Sequence, residues 1–233
     1  MRGELLKLRC LPTPRWTLVG VVLMALLGLA GAARWGIGED DLAVSAGAVL
    51  PTSIAAIVLG SWLVGVEYGQ NTMRRLLGAD PRRLRAVGRK LMAGAGATLA
   101  LTLVAFLILL LGLSPIAAIH DQSVSMEHIA RMGVAAAIGN LSLAAVGVAC
   151  VLLTRSMAGG ITVAFAYTFV LDAFLSAIPR VGRFTAASAS SDVWSALTDS
   201  AGDARLLPAV ALLLAWCAAL LAAGILRFVR QDA

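Results

Sequence analysis

Apolar residues run almost unbroken through six stretches of the chain, and polar residues gather in the short intervals between them. Crossing the hydrocarbon core of a bilayer takes about 20 apolar residues in helical form. The pattern therefore predicts a first span between Trp16 and Trp35, followed by spans over 42–66, 91–113, 129–153, 157–178 and 206–228. The expected fold is all-α, a polytopic membrane protein forming one transmembrane domain over residues 1–233.

Two of these spans need an argument. The run from Thr17 to Ala30 resembles the apolar region of a secretory leader, and Ala30-Gly31-Ala32 resembles its cleavage site. Against this, Trp16 and Trp35 bracket the run at about 28 Å, the width of a bilayer. The segment before it also reads as structured. In residues 1–15, Leu5, Leu6 and Leu8 alternate with Arg2, Glu4, Lys7 and Arg9, as in an amphipathic interfacial helix, and Pro12 and Pro14 close it. In the second span Pro51 lies inside the apolar run, and a kink is expected there.

Composition agrees with this class. The chain has 233 residues, 60% of them hydrophobic and 14% charged, which is too apolar for a soluble domain of this size. Its net charge of +6 is distributed by side rather than over one surface, so nucleic acid is not an expected partner. Fourteen of the nineteen Lys and Arg residues fall on the side of the two termini, and eight of the thirteen acids on the other. By the positive-inside rule the termini are cytoplasmic and the membrane is the inner or plasma membrane. The three cysteines, Cys10, Cys150 and Cys217, have neither disulfide nor zinc spacing. His120, Asp121, Glu127 and His128 match no ordinary ligand pattern, so no metal site is expected.

The long charged stretch is 67–90, EYGQNTMRRLLGADPRRLRAVGRK. It holds seven Lys and Arg residues, most of which suffice to set topology and to touch anionic lipid. It also carries folding signals. Asn71 or Thr72 caps a short helix through Met73, Leu76 and Leu77, Gly78 ends it, and Asp80-Pro81 starts a second one. Glu67 reads either as a solvated acid at a helix end or as a salt-bridge partner within the hairpin or toward the N-terminal helix.

The order of elements and the residues Glu67-Tyr68, Asn71-Thr72, Leu76-Leu77, Pro81, Arg83 and Lys90 resemble an ABC-2-type exporter permease of bacterial, particularly actinobacterial, kind. Asn71 stands where that family tends to have Gly, a mild departure because Asn also tolerates the left-handed conformation. The turn at Thr154-Arg155-Ser156 and the Arg-Gln-Asp-Ala tail are similar too. The resemblance implies a hairpin that couples to a cytoplasmic ATPase through Glu67, Asn71, Thr72, Met73, Leu76 and Leu77. It also implies a second permease subunit, identical or a sister chain. The chain has no GxxxxGK[ST] loop, so ATP and Mg would be bound by the partner ATPase and this chain would not itself be an enzyme.

The cargo expected from such walls is a hydrophobic or amphipathic compound, a drug, peptide or lipid-like molecule. The alternatives are a non-transporting scaffold or sensor subunit and an intramembrane enzyme. Against the enzyme, no span carries paired acids, an HExxH or a Ser-His arrangement. Asp172 is an acid inside a span, where an ionised group is costly unless paired or hydrated. Because the fourth and fifth spans are joined by a very short turn, Arg131 is expected to pair with it; the alternative is that Asp172 faces a wet path. The connector 179–205 reads equally as re-entrant or interfacial helices and as an ordinary loop.

Overall fold

The computed structural model describes residues 12–35, 45–70, 83–119, 125–178, 180–198 and 203–230. The described chain is helical, with six helices long and apolar enough to cross a membrane. The protein is a multi-pass membrane protein by this measure. The first span is α1, Pro12–Trp35. Pro12 and Pro14 stand in its first turn, where a missing N–H costs nothing. They open the first span, and the rest of the expected amphipathic segment, residues 1–11, lies outside the described residues.

The second span starts as a π-helical turn, Ser45–Val49, and continues as α2, Leu50–Gly69. Pro51 is the reason for an irregular start, since its ring cannot donate to the preceding turn. The Thr52 hydroxyl donates to the Ala48 carbonyl at 2.6 Å and the Ser53 hydroxyl to the Val49 carbonyl at 2.8 Å. Side-chain donors thus serve carbonyls at the place where the backbone ladder is interrupted. The third span, α3, covers Arg83–Ile119 and carries Pro115 inside it. The second arm of the expected hairpin is therefore continuous with the third span, because no breaker stands between Pro81 and Leu113.

The fourth span is α4, Met126–Thr154. Ser125 caps its start by accepting from the His128 N–H, and Arg155, left-handed at φ 57°, ends it. Ser156 then caps α5, Met157–Phe165, which passes through a π-helical turn, Ala166–Leu171, into α6, Asp172–Ser176. These three pieces make the fifth span. After a 3-10 turn, Gly182–Phe184, comes α7, Ala186–Thr198, and then the sixth span, α8, Asp203–Arg230.

Helix α4 is the axis of the bundle, packing against α2, α3, α5, α7 and α8, while α1 lies against α2, α3 and the π turn of the second span. The apolar windows of α2 and α4 are 61% and 56% buried, whereas those of α1, the fifth span and α8 are each 17% buried. The outer helices accordingly present large apolar side chains such as Leu23, Leu111, Phe174 and Leu214 outward, as a lipid-facing surface would.

Glycine sets how closely the two inner helices meet. A methyl group on Gly60 of α2 would overlap the Ala144 backbone carbonyl of α4, and one on Gly147 would come within 2.7 Å of the Ile57 carbonyl. The backbones touch here without side chains between them. Gly60→Ala should therefore lower the thermal unfolding temperature in detergent by several degrees, whereas Gly96→Ala, with nothing within 4 Å of the new methyl, should leave it unchanged. Equal melting of the two variants would refute close α2–α4 packing.

Candidate functional site

Two polar constructions occupy this bundle, one where the basic stretch leaves the membrane helices and one near mid-helix. At the first, the Lys90 Nζ of α3 lies 2.6 Å from Glu67 Oε1 of α2, and both side chains are almost fully buried. The same ammonium donates to the Leu63 carbonyl at 3.0 Å. Val64, Val87, Val148, Val151, Leu152 and Phe228, contributed by α2, α3, α4 and α8, form a buried apolar cluster that includes the residues one turn before each partner, Val64 and Val87. In so dry a setting, removing one partner is far more damaging than replacing both. Glu67 is thus the salt-bridge partner within the hairpin, not a solvated acid.

Of the residues assigned to ATPase coupling, Glu67 is the one that the described structure includes. Asn71, Thr72, Met73, Leu76 and Leu77 lie outside the described residues.

The expected pairing of Asp172 with Arg131 is not formed. Arg131 instead pairs with Glu127 one turn earlier on α4, an exposed i,i+4 contact of the kind that contributes little. Asp172 is buried and faces the start of α7, where the Ala186 and Ala187 amides favour its ionised form. A helix N-terminus carries unsatisfied N–H groups and partial positive charge, which suits a carboxylate. Local sequence explains the difference. Glu127 stands on the same face of α4 as Arg131 and is always within reach.

That contact also fixes the connector. The first turn of α7 reaches Asp172, Ser190 lies 3.6 Å from the position a methyl would take on Gly139 near the middle of α4, and Ala189, Val193 and Ala196 are buried. From the other side the Trp216 indole of α8 donates to the Phe184 carbonyl at 2.7 Å. The connector is therefore a helix let into the bundle between α4 and α8, with its N-terminus at the level of mid-span residues.

A cavity of about 390 Å³ lies where these elements meet, partly open and lined from the second, fourth, fifth and sixth spans and α7. Asp172, Tyr167, Thr168, Asn140 and Trp216 reach its wall. Asn140 deserves separate description because sequence reasoning passed over it. Its amide donates to the Thr52 and Thr102 hydroxyls, each at 2.9 Å, and its carbonyl accepts from Ser53 at 2.9 Å. One side chain ties α2, α3 and α4 together. The available signal was an Asn in the middle of an apolar span, a place where an amide without partners would cost several kcal/mol.

No protein-family model matches this chain, nor does any curated protein or solved structure. Function is consequently argued from the residues themselves.

Two outcomes follow from the geometry. Lys90→Met takes away the ammonium beside Glu67 and should cost about 3–5 kcal/mol of unfolding free energy, most of it recovered in the Glu67→Gln/Lys90→Met double variant. A simple additive loss in the double variant would mean that the two groups do not interact. Asn140→Leu should lower stability by about 1–2 kcal/mol, in keeping with the modest strength of intramembrane hydrogen bonds, as read by denaturant titration in micelles.

Proposed function

We propose that the chain is the transmembrane subunit of an ATP-driven exporter that moves a hydrophobic or amphipathic compound across the cytoplasmic membrane. The observation that carries this reading is the buried Glu67–Lys90 ion pair at the root of the basic stretch. It holds the departing end of α2 against the arriving end of α3, so that a displacement of whatever lies between them passes to both spans as one body. An exposed tether would need no such clamp. The split of basic residues supports a cytoplasmic location for this end.

In this reading a separate cytoplasmic ATPase binds ATP and Mg and docks on the stretch through Asn71, Thr72, Met73, Leu76 and Leu77, with Glu67 at its base. A second permease subunit, identical or a sister chain, completes the path within membrane lipid. The inset helix α7 supports it as well. It narrows the bundle at the end opposite the clamp and bounds a cavity large enough for a small organic molecule.

Leu76→Asp or Leu77→Asp tests the docking. A charge placed in an apolar docking surface carries a desolvation penalty large enough to weaken association by roughly a hundredfold or more. The variant should therefore lose co-purification with its cytoplasmic ATPase partner, while its own melting is unchanged. Co-purification at wild-type yield with normal transport would remove the stretch from the coupling role. Orientation is tested separately in a background without the native cysteines. A cysteine at Ser123 should react with an impermeant thiol reagent added to intact cells, and one at Asn71 should not.

A further inference from the structure

The cavity beside Asp172 has a chemistry of its own. Among the described residues its wall contains one carboxylate and no Lys, Arg or His. Asp172 is only 5% exposed and has the amides that open α7 on one side. Those amides are fixed dipoles and do not neutralise a full charge, so a carboxylate here leaves the cavity with negative potential in surroundings of low dielectric.

The aromatic residues point the same way. The Tyr167 and Thr168 hydroxyl oxygens are buried out of reach of the open space, so these two residues offer an occupant their ring and carbon surface. The Tyr167 and Trp216 rings stand 6.5 Å apart at an angle of 50°, both at the wall. Aromatic faces attract organic cations.

An inorganic cation fits poorly. It would require several free oxygen ligands converging at short range, and of the other polar side chains of the wall Ser53, Asn140, Ser142 and Ser191 are engaged in hydrogen bonds within the protein.

We propose that this cavity binds a hydrophobic organic monocation, with Asp172 as its counter-ion and the Tyr167 and Trp216 rings against its apolar body. The inference rests on the exporter reading only in naming such a cation as cargo. Binding itself requires no ATPase.

The experiment uses the purified full chain in nanodiscs of zwitterionic phosphatidylcholine, with no ATPase present. Labelled tetraphenylphosphonium is titrated against it, and in parallel tetraphenylborate, an ion of similar shape and opposite charge, with empty nanodiscs subtracted. Wild-type protein should bind the phosphonium saturably and show no saturable binding of the borate. Asp172→Asn should weaken phosphonium binding by about tenfold or more, as expected on removing one member of a buried charge pair. It should melt as wild type does, because Asn has the same shape and keeps an acceptor oxygen facing the start of α7. No saturable phosphonium binding, equal binding of the borate, or undiminished binding by a folded Asp172→Asn protein would each overturn the proposal. The comparison of the two ions on wild-type protein decides even if the variant fails to fold. A wild-type chain that binds the phosphonium but associates with no ATPase would remove the exporter reading and leave the cation site standing, and one that associates with an ATPase but binds no phosphonium would do the reverse.

Discussion

Helices in lipid have no hydrophobic reason to associate, because the acyl chains around them are as apolar as their own side chains. What holds this bundle is the close approach of α2 and α4, made at Gly60 against Ala144 and at Gly147 against Ile57. Bulkier residues there would hold the two backbones apart. With them in contact, the Asn140 amide of α4 lies within hydrogen-bonding distance of Thr52 and Ser53 at the start of the second span, and it collects Thr102 from α3 as well. The polar knot is a consequence of the tight seam, and it in turn fixes the rotation of three helices about their axes.

The same seam relates the two ends of the molecule. At one end Val148, Val151 and Leu152 of α4 join Val64 and Val87, the residues one turn before Glu67 and Lys90, in a buried apolar cluster, and burial makes the ion pair a constraint rather than a surface contact. Toward the other, α4 continues past Asn140 and Gly139 to the cavity and α7. A rigid element that touches both places has the form required to couple them: displacement at the clamp need not be transmitted through flexible loops. Helices α1 and α8 and the fifth span leave most of their apolar windows exposed, as a surface that meets lipid would.

The number and approximate extent of the spans were legible from the sequence, because length and apolarity alone decide what can cross a bilayer and every predicted span overlaps an observed one. Rotation about the helix axis was not legible. In most of these spans nearly every position is apolar, so periodicity marks no buried face, and Asn140 was overlooked although its cost in lipid singles it out. The joining of the hairpin's second arm to α3 was hidden for a related reason: a Pro at a helix start predicts where a helix begins and says nothing of where it stops. The connector was ambiguous because its small and polar residues suit a loop as well as a helix tucked between two others.

Asp172 shows most directly why a regular helix misleads here. A π-helical turn holds one residue more than the α-helical turn it replaces, and so rotates everything after it by about 100° relative to an unbroken helix. Such a turn, Ala166–Leu171, stands immediately before Asp172. Extrapolating α5 as a regular helix therefore assigns the carboxylate a direction about a quarter-turn in error, enough to exchange one neighbouring helix for another. The second span repeats the device, with the turn Ser45–Val49 shortly before Thr52 and Ser53. In both spans the irregular turn precedes the polar side chain that faces the interior. Widening costs backbone hydrogen-bond geometry, which sequences tend to retain where the re-aimed residue repays it. The two turns mark the polar positions around the cavity as placed by the backbone, not left over from an apolar pattern.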